Sequence, residues 1–221
     1  MTRYNDEQLS AFPWIVSCDT LKTETLLVKF WGVAEQLGIT LSAQLLTDLT
    51  LLVGEDSKES DWNDQLACDS LAELSDALNS AAPDGFHFSS QDGDGACFGF
   101  WLQDEWVEAL DHIGLGDWHP EGWASLISEL IAGGIDPETI EDAYQGQVEG
   151  VTEERAGAAY AEQLADELGD YKPTRWPHYC IDWDQAWREL RCDGYWLQST
   201  GESVLGGSAL EWGDWLVFRS V

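Results

Sequence analysis

The chain is predicted to be an α+β protein in which mainly short helices dominate and small β-hairpins complete the fold. Three observations lead there. Apolar residues recur at helical spacing through most of the chain, between residues that cap and stop helices. In two places the period drops to two, which marks strands. A hydrophobic content of 44% with 13 Trp provides the apolar surface for a packed core and argues against disorder. At 221 residues the chain can form two closely packed parts, with a boundary expected near residue 117, giving 1–117 and 118–221.

Residues 20–38 read as a helix with Leu26, Phe30, Val33 and Leu37 on one face. Thr40 is placed to cap a second helix, LSAQLLTDLTLLV, stopped by Gly54. The pair forms a helical hairpin beside Lys22, Lys29 and Lys58. GEDSKESDWNDQ is polar and turn-rich, so it reads as a loop or boundary. LACDSLAELSDALNSAA returns to helical spacing through Leu66, Leu71, Leu74 and Leu78. Its Asp69, Glu73 and Asp76 lie at i, i+4 and i+7 on one face, where like charges cost roughly a few tenths of a kcal/mol. FHFSS and ACFGFWL then alternate in strand fashion around a QDGDG turn. Asp92 to Gly95 has the opening pattern of a calcium loop, but its twelfth position is Gln103 and not the required Glu.

WLQDEWVEALDHI and PEGWASLISELIAGG supply two more helices, the second opened by Pro120. Their outward residues include Asp104, Glu105, Glu108, Asp111, Glu121 and Glu129. Asp136 is placed as an N-cap with Pro137 in the first turn and Ile135 stapled to Ile140, giving a helix to about Tyr144 with Gly146 as its stop. Thr152 caps a helix to about Leu168, with Ala156, Tyr160, Leu164 and Leu168 as its apolar stripe and Gly169 as its end. Asp182 and Gln185 form a capping-box pattern ahead of Trp183, Ala186, Trp187 and Leu190. GYWLQ and EWGDWLVFRSV read as strands flanking the Gly/Ser-rich loop STGESVLGGS.

IEDAYQG, EERAGAAYAEQLADELG, WPHYCIDWDQAWREL, CDGYWLQ and the closing WLVFRSV together resemble the C-terminal part of ArdA-type antirestriction proteins. The resemblance covers about residues 135–221, while residues 1–117 match no part of that family's pattern. It implies an acidic mimic of duplex DNA that occupies the DNA groove of type I restriction-modification enzymes, commonly as a homodimer.

Charge points the same way without the resemblance. The chain has 42 Asp and Glu against 10 Lys and Arg, a formal net charge of -32 and a pI near 4.1. Residues 59–154 contain 23 Asp and Glu and no Lys or Arg. Solvated surfaces usually intersperse both signs, and uncompensated charge repels itself, so a run of this length suggests selection for the field. Such a field repels nucleic acid and anionic membranes, leaving a basic protein as the expected electrostatic partner.

Nothing in the sequence demands an active site. No HExxH, GxSxG, Walker A or GxGxxG pattern occurs, and neither metal nor cofactor is expected. Carboxylate pairs are too frequent here to single out an acid/base dyad. Trp beside carboxylates keeps a carbohydrate-binding alternative open, and an acidic interaction module for basic partners without DNA mimicry is another. Five scattered cysteines, Cys18, Cys68, Cys97, Cys180 and Cys192, read as reduced and mostly buried thiols of a cytoplasmic protein. The N-terminus lacks a signal-peptide layout, and charges interrupt every apolar run short of a membrane span. The expected partner surface comprises Glu138, Glu141, Asp142, Glu149, Glu153, Glu154, Glu162, Asp166, Glu167 and Asp170, with Asp104, Glu105, Glu108 and Asp111 from upstream. Asp136 and Asp182 are set aside as caps.

Overall fold

A computed structural model describes residues 4, 6–18, 20–53, 65–115, 120–169, 180–199 and 213–220. It is a mixed helix and sheet structure, in line with the α+β expectation. The chain forms two compact units, Met1–Trp106 with His119–Ser125 and Val107–Trp118 with Leu126–Val221.

The first unit opens with the short helix α1 (Asp6–Ser10) and the strand β1 (Ile15–Ser17). Helix α2 (Thr23–Gln36) follows, then α3 (Ala43–Val53), α4 (Gln65–Ser80) and the hairpin β2 (Phe86–Gln91) and β3 (Asp94–Leu102). The three strands make an antiparallel sheet in the order β1-β3-β2. The hairpin turns at Gly93, whose φ of 81° suits glycine. The core is built by Leu26, Leu27, Phe30 and Ala34 of α2, Leu45, Leu49 and Leu52 of α3, Leu74 and Leu78 of α4, and Phe88 and Phe100 of the sheet. Phe30 meets Phe88 edge-on at 5.0 Å and Phe98 at 5.4 Å, which fixes α2 across the sheet.

Two expectations change here. Ser42, not Thr40, caps α3: its Oγ accepts from the Leu45 N–H at 3.0 Å. Cys18 and Cys97 are joined as a disulfide, and Cys68, Cys180 and Cys192 are exposed, so the five are not mostly buried reduced thiols. Gly54, most of the loop after it and the Gly/Ser-rich loop before Gly213 lie outside the described residues.

Helices α5 (Asp104–His112) and α6 (Pro120–Ala132) come next. The second unit continues with α7 (Ile140–Ala143), β4 (Tyr144–Gly150), α8 (Glu153–Glu167), α9 (Trp183–Cys192), β5 (Tyr195–Ser199) and β6 (Gly213–Arg219). Its antiparallel sheet runs β4-β6-β5. One face packs on α8 and α9 through Val148, Ala156, Tyr160, Trp187, Leu197 and Val217. Leu216 and Phe218, on the alternate positions of β6, are fully buried, and Trp196 stacks on Phe218 at 4.8 Å. The sheet is therefore covered on both sides around β6, as its nearly continuous apolar sequence requires.

The helix expected from Asp136 to Tyr144 is cut short. Asp136 Oδ1 does accept from the Thr139 N–H at 2.9 Å, and Ile135 and Ile140 are buried as the staple required. Only residues 140–143 are α-helical, because Tyr144 turns into β4 and pairs with Phe218. Gly146 is a register irregularity inside that strand, with φ 131°, and not a helix stop.

Helix α8 begins as expected, with Thr152 Oγ1 accepting from the Arg155 N–H at 3.3 Å. Its apolar stripe needs correction, since Leu168 is 72% exposed and Gly157 and Ala161 are buried in its place. Steps of four overshoot the 3.6-residue turn by about 40° each, so the third step carries Leu168 off the face. Asp182 caps α9 by accepting from the Gln185 N–H at 3.0 Å, but Gln185 Nε2 donates onward to Glu189, leaving the reciprocal half of the box unmade. Among the described residues no helix is long and apolar enough to cross a membrane.

Candidate functional site

The candidate carboxylates fall into three sets, each placed by a different local cause. On α5, Trp106 and Leu110 are buried one turn apart, which turns Asp104, Glu108 and Asp111 outward as a stripe at i, i+4 and i+7. All three are exposed, as is Glu105 beside them. Asp104 and Glu105 lie in the first turn of the helix, where the macrodipole favours negative charge.

At the other end of α5, His112 Nε2 lies 3.6 Å from Glu141 Oε1, with both side chains exposed. That contact sets the last turn of α5 beside the first turn of α7, which carries Glu141 and Asp142. Glu138 is exposed on the turn just before it. This one side-chain contact links the two elements, and Asp111 precedes His112 and Asp142 follows Glu141 in the chain.

Glu149 belongs to β4. Its neighbours of the same parity, Gln145 and Gln147, are also exposed, while Val148 and Gly150 face inward. A Cβ on Gly150 would meet Ala156 at 2.6 Å, so this glycine is what lets β4 run directly under α8.

The α8 set is less uniform than its sequence suggests. Ala156, Gly157, Tyr160 and Ala161 hold the inner face, so Glu162 and Asp166 project outward one turn apart. Arg155 shares that outward side. Glu153, half exposed, lies 3.6 Å from Arg191 on α9, which compensates its charge. Glu167 accepts from Gln163 Nε2 at 2.9 Å. Hydrogen bonds from its own backbone N–H and from the Thr152 hydroxyl, aided by the charge of Arg191, hold the Glu154 carboxyl below the ordinary carboxylate range. Asp170 lies outside the described residues.

A second acidic stripe occurs in the first unit. Asp69, Glu73 and Asp76 are all exposed on α4, opposite Ala67, Ser70, Leu74 and Leu78. Ser42 Oγ donates to Glu73 at 2.9 Å, and Gln65 Nε2 donates to Asp69 at 2.7 Å. The same i, i+4, i+7 spacing thus recurs on α4 and α5. The sequence carries no signal for the His112 to Glu141 contact that joins α5 to α7. Among the described residues no three His, Cys, Asp or Glu side chains gather in a way that could hold a metal ion.

No family model matches the chain, and no curated protein or solved structure matches it either.

Proposed function

We propose that the protein is a non-enzymatic DNA mimic that occupies the DNA-binding groove of a host defence enzyme, with a type I restriction-modification enzyme in the cytoplasm as its target. One observation carries the reading. Within residues 59–154, which hold no Lys or Arg, α5 turns the exposed carboxylates of Asp104, Glu108 and Asp111 outward in one stripe, and His112 in its last turn contacts Glu141 of α7.

Carboxylates one helical turn apart have Cβ atoms about 5 to 6 Å from each other. Duplex DNA carries about one charge per 1.7 Å of axis, and its binding proteins line a groove with Lys and Arg. A groove built to make charge-assisted hydrogen bonds to phosphate makes them equally to carboxylate. The helices are anchored by Trp106, Leu110, Ile140 and Ala156, all buried, so little ordering cost falls due on binding. The target class rests on the sequence resemblance across residues 135–221.

Phage plating on restricting cells, with and without the protein, is the primary test, and unrestricted plating in its presence is expected. Purified enzyme should lose DNA binding to the protein in direct competition. Single neutralisations should change inhibition by less than about threefold. The combination Asp104→Asn, Glu108→Gln, Asp111→Asn and Glu141→Gln should weaken it at least tenfold and flatten its salt dependence, as expected when several ionic contacts are lost together. Unchanged restriction in cells that make the protein would remove the target assignment.

A specific observation favours a second reading, an acidic module that binds basic partners without imitating DNA. Arg155 on the outward side of α8 and the Arg191 to Glu153 pair give that region mixed charge. Such a module binds its partner while duplex DNA remains bound, so the competition experiment separates the two.

A further inference from the structure

Strand β1 closes one side of the first sheet with three residues, and its register against β3 breaks between Ile15 and Ser17. Its two ends are held in different ways. At the first, the Trp14 carbonyl accepts from the Phe100 N–H at 2.8 Å and lies so close to Gly99 that a Cβ there would collide with it. The Trp14 ring is buried against Phe12 and Phe86 at 4.8 and 5.0 Å. At the second end, the pairing of Ser17 with Phe98 sets Cys18 opposite Cys97, and these two are disulfide-bonded. Between the ends the hold is uneven. Ile15 is 61% exposed, whereas Ser17 is buried and its hydroxyl accepts from Lys29 Nζ at 3.2 Å. Cys97 is buried, whereas Cys18 is only half-buried, so Cys18 is the more accessible residue of the pair.

We infer that the Cys18 to Cys97 bond is a thiol-reducible clasp on β1: reduction frees residues 15–18 from β3, while Trp14 keeps the preceding segment in place. The thiolate of a small dithiol attacks the Cys18 sulfur, the S–S bond breaks, and Cys97 leaves as a thiolate and takes up a proton. The second thiolate of the reductant then displaces Cys18 from the mixed disulfide. Cys18 and Cys97 gain two electrons and two protons in all, and the reductant becomes a cyclic disulfide.

The release is local because the 79-residue span between the cysteines contains α2, α3, α4 and β2, which pack on their own core. A three-residue strand with an irregular register has few ladder bonds of its own. Opening the clasp leaves the outer edge of β3 with unpaired backbone groups, where another extended segment can pair.

The full chain, purified without reductant, is denatured and alkylated before and after dithiothreitol. Cys68, Cys180 and Cys192 take up label in both samples, and Cys18 and Cys97 only after reduction. Hydrogen exchange then compares the native oxidised and reduced forms. Amides of residues 15–18 should exchange at least tenfold faster on reduction, with β2 and the second sheet unchanged. The Cys18→Ser/Cys97→Ser protein should show the fast exchange with no reductant and no response to it. Labelling of all five cysteines before reduction overturns the inference. So does exchange at residues 15–18 that reduction leaves unchanged, or a rise spread over the whole first unit.

Discussion

Gly157→Ala is expected to destabilise the second unit, although helix propensity alone argues the reverse. In the interior of α8 the change gains about 1 kcal/mol from propensity. The added methyl, however, would fall inside the Trp187 ring, against Cδ2, Cε2 and Nε1 together. That ring has no room to retreat. It is buried among Val148, Ala156, Tyr160, Leu197 and Val217, with Tyr160 edge-on to it. Overpacking costs roughly 1–3 kcal/mol, and collision with three atoms of a fixed indole belongs at the upper end, which leaves a net loss of about 2 kcal/mol. In a unit of roughly 100 residues that lowers Tm by about 8 °C. Thermal unfolding followed by near-UV circular dichroism reads it, because the remaining aromatic side chains keep a tertiary signal in every variant, Trp187→Leu included. A Trp187→Leu background supplies the control: the smaller side chain makes room, so the double variant should be less destabilised than the two single changes added together, by at least about 1 kcal/mol. Wild-type or higher Tm for Gly157→Ala, or strict additivity in the double variant, would refute the packing argument.

Removing the α8 cap with Thr152→Ala should cost about 1 kcal/mol and speed exchange of the Arg155 amide, which loses its acceptor. The same change should raise the Glu154 pKa in an NMR titration, since the Thr152 hydroxyl helps hold that carboxyl low. An unmoved Glu154 titration would place the cause elsewhere. Burial pushes the Tyr160 hydroxyl up to about 12, with Tyr195 and Glu167 adding to it and Arg219 opposing. Its folded pKa exceeds the unfolded value near 10, so its contribution to stability is complete below pH 10 and lost as pH rises through 12. Unfolding measured from pH 9 to 12 should show that decline, and Tyr160→Phe should remove part of it. Equal declines in both proteins would count against it.

Much of the fold was legible because its elements carry local signals. Thr152, Asp182 and Gly169 mark the ends of α8 and the start of α9 in sequence and structure alike, since caps depend on neighbours within one turn. β1 was not legible: Ile15, Val16 and Ser17 are too few to show a period, and only pairing with β3 makes them a strand. β4 failed for a related reason. YQGQVEG has weak strand propensity and follows α7 without a turn, so its state is decided by β6 across the sheet. The cysteine expectation failed with β1, because nothing but that register sets Cys18 opposite Cys97. Among the candidate carboxylates, exposure followed from the buried positions of each helix. Cross-element contacts did not: the Arg191 to Glu153 ion pair and the His112 to Glu141 contact join elements far apart in the chain.

The order β4-β6-β5 has a consequence for how the second sheet comes into being. β4 and β5 never touch in the ladder; each pairs only with β6, the last of the three to leave the ribosome. Until residues 213–219 emerge, α8 and α9 have two unattached ribbons beneath them, and the backbone groups of both ribbons must be satisfied by water. The sheet therefore assembles by insertion of a central strand between two waiting ones. Its formation waits for β6, and a nascent chain halted before Gly213 holds neither ladder.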